Sequence, residues 1–220
     1  MLASSSNKRP FTVCVEGNIA SGKSTFLENF KQFNDIMVLH EPVSFWRDIN
    51  GINLFNLMYK HPERYGCVFQ SYVQLTFLEL HTQPTSLPFK IMERSMYSAR
   101  CFIENMTRIN KIEKIEALVL EKWFEWCLKN HCIDLDLIVY LRTSPETVYE
   151  RMKKRARKEE KSVSLEYLKK IHNIHEDWLL HRTLFSVPAP VIILNADQNF
   201  DEMLIEFQRC KSNIYSKHLN

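Results

Sequence analysis

The sequence predicts an α/β fold, a doubly wound five-stranded parallel sheet surrounded by helices. Three observations carry that expectation. Short runs that are apolar on both alternations recur between segments of helical period, as strands covered on both faces require. Hydrophobic residues make up 45% of the 220 residues and charged ones 25%, near the globular average. Glycine is scarce, four in the whole chain against a typical ~7%, yet Gly17 and Gly22 sit together between the first strand and the first helix.

The strands are expected at Phe11–Val15, Ile36–Leu39, Phe89–Met92, Leu137–Leu141 and Val191–Leu194. Helical period fills Ser24–Phe33, Glu63–His81, Ser95–Asn110, Lys114–Asn130, Pro145–Lys158, Leu165–His181 and Phe200–Ser216. Thr143-Ser144-Pro145-Glu146 is a helix start, with a capping hydroxyl, proline in the first turn and an early acid. Strands alternating with helices give the parallel, doubly wound arrangement. Residues 1–10 read as a flexible tail and 11–220 as a single domain; at this length one core forms without staples.

Composition narrows the function classes. No apolar run reaches the ~18 residues of a membrane span, so no membrane role is expected. Net charge is 29 − 26 = +3, too weak to argue for a nucleic-acid partner. Six cysteines without CxxC spacing point to reduced thiols, mostly buried, rather than zinc or redox chemistry. The N-terminus MLASSSNKRP lacks a secretory h-region. A cytoplasmic protein is expected, with a mitochondrial one, its targeting peptide removed, as the alternative.

The first strand runs into Gly17-Asn18-Ile19-Ala20-Ser21-Gly22-Lys23-Ser24, then Thr25 and a helix. This is GxxxxGK[ST] in its required strand–loop–helix context. Glycines let the backbone curl so that N–H groups point at phosphate oxygens, and the helix N-terminus adds its dipole. Lys23 can reach the β- and γ-phosphates, and the Ser24 hydroxyl can ligate Mg²⁺. A GTPase reading fails: Asp48-Ile49-Asn50-Gly51 follows no buried strand, and NKxD is absent. Glu41 and Glu93 instead emerge at the C-terminal ends of predicted strands, where ligands bind in open α/β sheets. One acid near the metal and a second as base is what phosphoryl transfer to a hydroxyl needs. The residues thus read as a small-molecule P-loop kinase. Further on, Arg151–Lys158 holds six basic residues in eight; Arg151 and Arg155 share a helix face, which suits a basic lid at about 151–162.

The segments EGNIASGKST, HEPVSFWRDINGINLFNLMY, FQSYVQLTFL, MERSMYSAR and YLRTSPETVYERMKKRARKEE resemble the eukaryotic deoxyribonucleoside kinases, above all the insect multisubstrate and mitochondrial thymidine kinase branches. The likeness runs in order from about residue 11 to 200. It implies transfer of the ATP γ-phosphoryl group, with Mg²⁺, to the 5′-OH of a deoxyribonucleoside in nucleotide salvage. Carried over position by position, it makes residues 17, 18 and 20–25 the ATP loop and Arg151, Arg155 and Arg157 the lid over the phosphates. Glu41 becomes the general base, with Arg94 beside it and Glu93 serving the metal. Tyr59 and Glu160 hold the sugar 3′-OH. Gln70 pairs with the base, whose ring lies between Trp46, Phe69 and an aromatic near 102. The resemblance also implies a homodimer and inhibition by an end-product triphosphate.

Two departures follow from that comparison. Cys101 precedes Phe102 where the family usually has one more residue, so either Phe102 or Ile103 forms the wall, and Phe102 is favoured. Phe77 stands where a methionine is expected; with Val73 and Ala99 it makes a pocket of the pyrimidine-accepting kind, with less room for purines. His172 and His175, followed by Glu176, resemble a metal pattern on a helix, but two histidines at i, i+3 without a third ligand nearby make a weak site, so a structural role is expected. Gly51 and Gly66 read as turns that set pocket walls. Two other readings stand beside the main one: a nucleoside monophosphate kinase, and a nucleotide-dependent module that contacts nucleic acid through the basic segment.

Overall fold

A computed structural model describes residues 9–198 together with Glu202, Ile205 and Ser212. Five strands form one parallel sheet in the order β2-β3-β1-β4-β5, with β1 Phe11–Glu16, β2 Ile36–Leu39, β3 Phe89–Glu93, β4 Leu137–Arg142 and β5 Val191–Asn195. Each predicted strand is present. Four of them run one residue further, because polar residues at their ends still pair: Val15 lies opposite Glu93, Glu16 opposite Tyr140 and Arg142 opposite Asn195.

Alternate residues of the central strands feed two cores. Val13, Val15, Leu137, Val139 and Leu141 pack on Phe26, Leu27 and Phe30, which follow the phosphate loop in α1, Lys23–Glu28, and the turns after it. Cys14, Ile138 and Tyr140 face the opposite layer, built from α4 Pro62–Thr82, α5 Met96–Arg108, α6 Lys114–Asn130 and α8 Leu165–His175. This covering of both faces is what the unbroken apolar strands require. Among the described residues no helix is long and apolar enough to cross a membrane.

Several helices end earlier than their periodicity implies. Helix α1 stops at Glu28, and Phe30, Lys31 and Phe33 donate backbone bonds three residues back. The chain tightens there while Phe26 and Phe30 stay in ring contact at 5.1 Å. Helix α7, Pro145–Arg155, stops where Ala156 turns left-handed at φ 53°. Helix α8 gives way to a π-helical turn, Glu176–Leu180, in which the His181 N–H reaches the Glu176 carbonyl at 2.8 Å. Two short helices, α2 Val43–Arg47 and α3 Leu54–Lys60, escape the periodicity because neither spans two turns. The predicted helix Phe200–Ser216 falls almost wholly outside the described residues.

Gly17 and Gly22 have φ of +145° and +101°, and Gly51 sits at +86° beside Asn50 at +51°, a tight turn as expected. Gly66 does not fit the expectation: it lies inside α4. A Cβ there would come within 2.6 Å of Met106 Cε and 3.2 Å of Ile112 Cγ1, so this glycine serves close packing rather than a turn. Of the described cysteines, Cys14, Cys101 and Cys127 are buried and free, and Cys132 is exposed.

At Gly17 a Cβ would meet Ser21 Oγ at 2.7 Å and the Leu141 carbonyl at 2.8 Å, on a backbone that an L side chain rarely adopts. Gly17→Ala is expected to destabilise the protein by roughly 1–3 kcal/mol, read as a lowered urea midpoint at unchanged m-value. An unshifted midpoint would mean that the loop relaxes without cost.

Candidate active site

The loops after β1, β2 and β3 meet at the C-terminal edge of the sheet, and each delivers charge there. After β1 comes the phosphate loop, where Gly22 supplies the left-handed entry to α1. Lys23 Nζ donates to the loop's own carbonyls, Gly17 at 3.2 Å and Asn18 at 2.6 Å. Burial, then the charge of Arg94, lowers its ammonium to a pKa of about 7. After β2 comes Glu41, paired with Arg94 at 3.0 Å. Burial raises the Glu41 pKa, and Glu93 adds to this while Arg94 opposes it. At the end of β3, Glu93 accepts from Ser24 Oγ at 2.8 Å and lies 3.3 Å from His40 Nδ1. Burial works against its charge, but His40, Lys23, Ser24 and Arg94 together hold Glu93 at about 2.

Arg94 has a left-handed backbone, φ +63°, a conformation that costs a non-glycine residue about 1–3 kcal/mol. Three contacts hold it there. Its N–H donates to Val15 O at 3.0 Å. The next residue, Ser95, caps α5 through a reciprocal box with Ser98. Its guanidinium lies 4.7 Å over the Phe102 ring. Below this turn Glu16 is fully buried and accepts from Cys14 Sγ and Ser95 Oγ at 3.1 and 3.0 Å. Nothing in the sequence singles out Glu16.

Two concavities open from this edge. One is a pocket with a mixed apolar and polar lining, the character of small-molecule sites. Trp46, Tyr59, Phe69, Gln70, Val73, Phe77, Ala99, Phe102 and Glu160 line it beside Glu41, Glu93 and Arg94, so every residue predicted for a substrate pocket is there. Phe102 is in the wall, whereas Ile103 is buried in the core. Its aromatic end is a packed group: Trp46 meets Phe69 edge-on at 5.4 Å and Phe77 at 6.0 Å. The Trp46 indole N–H donates to Thr76 Oγ1 at 3.0 Å. The second concavity is a groove lined by Ala20, Gly22, Lys23, Ser24, Thr25, Glu93, Arg151, Arg155 and Arg157. Ala20, Lys23, Glu93, Arg155 and Arg157 belong to both.

Some predicted loop residues stand back from the groove. Asn18 turns its amide away to donate to Leu168 O of α8 at 2.9 Å and accepts from the Ile19 N–H; it braces the loop. Ser21 is fully buried beneath Gly17. The basic segment also departs from a plain helix. After Ala156 the chain reverses into a 3₁₀ turn, Lys158–Ser162, so Glu160 faces back and accepts from Arg155 at 2.8 and 2.7 Å and Arg157 at 3.3 Å. Its neighbour Glu159 accepts a two-pronged bond from Arg47 of α2, 2.9 Å on each oxygen, and a third from Asn53 at 3.2 Å. That clasp ties the basic segment to the helix carrying Trp46.

Phe55, Met58, Ser98, Met106 and Tyr167 also line the cavity and were not expected. Ser98 and Met106 lie four residues either side of Phe102 on one face of α5, a signal present in the sequence. Phe55 and Met58 belong to the short α3, and Tyr167 arrives from α8, so neither leaves a local trace. The His172–His175–Glu176 pattern is structural. His175 stacks on Tyr140, and Glu176 accepts from Tyr140 OH at 2.7 Å and from Arg142. Among the described residues no group of three or more His, Cys, Asp or Glu gathers for a metal.

Burial opposes the charge of Glu159, yet Arg47, its backbone bonds and Asn53 bring it from the ordinary 4.5 to about 2. A lowered folded-state pKa stabilises above the unfolded value, and that stabilisation is lost as pH falls towards the folded one. The stability gap between wild type and Glu159→Gln is therefore expected to be largest above about pH 5 and to close by about pH 2. Urea unfolding across that range reads it; a gap independent of pH would deny the ion pair its role.

Comparison with known proteins agrees with this geometry. A family model described as deoxynucleoside kinase matches residues 13–220. The chain is 49% identical over 203 residues to human "Thymidine kinase 2, mitochondrial", spanning 92% of this chain and 77% of that one. It is 34% identical over 231 residues to human deoxycytidine kinase, spanning 91% and 89%. The rat deoxycytidine kinase gives 36% over 227 residues, spanning 90% and 87%. With its parallel sheet, phosphate loop and enclosed aromatic cavity, the chain belongs to the deoxynucleoside kinase family.

Proposed function

We propose that this kinase moves the γ-phosphoryl group of ATP to the 5′-OH of thymidine, deoxycytidine and related deoxyribonucleosides. The observation that carries the reading is the shared border of cavity and groove at Ala20, Lys23, Glu93, Arg155 and Arg157. A nucleoside held in the cavity and a triphosphate held in the groove meet there, beside Glu41.

Each residue then has a task. Glu41, its pKa raised by burial, is more basic than a surface carboxylate and takes the 5′-OH proton. Arg94, 3.0 Å from Glu41, orients that carboxylate and faces the 5′-oxygen. Lys23 leaves the loop carbonyls for phosphate oxygens, and Arg151, Arg155 and Arg157 neutralise charge from the lid side. Tyr59, whose phenol burial keeps protonated, donates to the sugar 3′-OH while Glu160 accepts from it. Trp46, Phe69 and Phe102 enclose the base, Gln70 pairs with its edge, and Phe77 disfavours purines by bulk. Ser24 and Glu93 offer hard oxygens 2.8 Å apart, with Glu93 held ionised, which fits Mg²⁺; these two residues would hold the ion, and it would supply charge that neutralises the phosphates.

A deoxynucleoside triphosphate carries base and phosphates on one molecule, so it can fill cavity and groove together; this supports end-product inhibition. A homodimer is supported by an apolar face on α6, where Ile115, Leu118, Val119, Trp123 and Trp126 are each about half exposed, next to Val68 and Leu75 of α4. Apolar patches of this kind mark association surfaces. A cytoplasmic location is the expectation from the sequence, and the name of the relative at 49% identity weighs for the mitochondrial alternative.

Glu41→Gln is expected to lower kcat by about 10²–10⁴-fold while thymidine Kd, by calorimetry without ATP, stays within about threefold. A near-wild-type rate would remove Glu41 from the chemistry. Trp123→Glu is expected to give a monomer in sedimentation velocity at micromolar protein. A variant that still sediments as a dimer would place the contact elsewhere.

A further inference from the structure

Gly66 sits in the interior of α4, where glycine is destabilising relative to alanine. The space it leaves is taken by Met106 Cε of α5, 2.6 Å from where a Cβ would stand. With its methyl group placed there, the Met106 sulfur lies 3.7 Å from Gln70 Nε2 and accepts from it. Gln70 is one helical turn along α4 from Gly66, is buried, and lines the cavity with Met106. Its other amide atom, Oε1, has no partner among the described residues.

A thioether sulfur is an acceptor only, and so is the amide oxygen. Turning the Gln70 amide over would set oxygen against sulfur and leave a buried N–H₂ without its acceptor, an unfavourable exchange. We propose that Met106 is a positioning residue for base recognition: its sulfur fixes which end of the Gln70 amide faces the cavity, and Gly66 makes the room that lets it do so. The inference rests on the reading of Gln70 as the residue that pairs with the base. Under it, Oε1 and the second Nε2 hydrogen face the pyrimidine edge in one fixed order; thymine (N3–H beside the O4 acceptor) and cytosine (the N3 acceptor beside N4–H₂) need opposite orders, so the held amide suits one of the two and must turn over for the other. A pyrimidine bound to a freely turning amide would have to order it on binding; here the order is built in.

The test is a double-mutant cycle on steady-state kinetics, with thymidine and deoxycytidine as substrates and thermal melts as the check on folding. Met106→Leu keeps volume and removes the acceptor. It is expected to raise the KM of the one pyrimidine nucleoside that the held amide suits on the order of 3- to 10-fold and not that of the other, with kcat and the KM for ATP within about twofold. In a Gln70→Leu background the same substitution is expected to change KM by less than about twofold, because its effect passes through the amide. An equal rise in both backgrounds would make Met106 a packing residue and overturn the proposal, as would an unchanged KM with Gln70 intact. Gln70→Leu alone leaving KM unchanged would overturn the reading of Gln70 itself, an outcome distinct from the other two. Should Met106→Leu fail to fold, Gly66→Ala displaces Met106 Cε without altering any residue of the cavity wall. It is expected to give the same KM rise, absent in the Gln70→Leu background.

Discussion

Five ionisable side chains share the nearly dry edge where β1, β2 and β3 end, and the buried guanidinium of Arg94 is what makes their company tolerable. Glu16, Glu41 and Glu93 each feel its charge, and Lys23 holds its proton less tightly because of burial and then that same charge. An isolated buried ion is strongly unfavourable, so groups in such a place are paired or shift towards neutrality. Here the outcomes differ by partner. Glu93, with a hydroxyl, an imidazole and an ammonium around it, stays ionised against its burial, while Glu41 is pushed up by burial, with Glu93 adding to this and Arg94 opposing it. Two carboxylates emerging from neighbouring strands thus acquire opposite acid–base characters without any difference in residue type.

That charge cluster also explains the strained backbone at Arg94. To bring the guanidinium over Phe102 and beside Glu41, the chain must turn left-handed directly after β3. The Val15 carbonyl and the Ser95–Ser98 box anchor the turn from either side, and Glu16 holds Ser95 from beneath. The buried carboxylate at the end of β1 therefore supports the site from below without lining either concavity. Strain of this kind persists only where the surroundings over-determine it.

The basic segment obeys the same logic at longer range. Six positive residues in eight would repel one another on a solvated helix. Instead Ala156 breaks the helix, and the chain returns two glutamates to the arginines: Glu160 to Arg155 and Arg157, Glu159 to Arg47. The basic segment thus carries two ion pairs on Glu160, which lines the cavity, and another that clasps the helix carrying Trp46.

Much of this was legible in the residues alone. The strands, the phosphate loop and the two strand-end glutamates depend on local spacing, which the covalent chain fixes: a glycine loop between a strand and a helix has little choice of where its lysine and serine go. The helix ends were not legible, because Ala156 turns left-handed and α8 widens into a π turn for reasons that lie in their neighbours. Nor was the full cavity wall. Phe55 and Met58 come from a helix too short to show a period, and Tyr167 crosses from the far end of the chain. Gly66 shows the division most clearly. Its sequence context, just before Phe69 and Gln70, reads as a turn, and the scarcity of glycine marked it as purposeful. Only the packing of α4 against α5 decided that the purpose is to admit a methionine, since a missing Cβ has meaning only in relation to the atom that occupies its place.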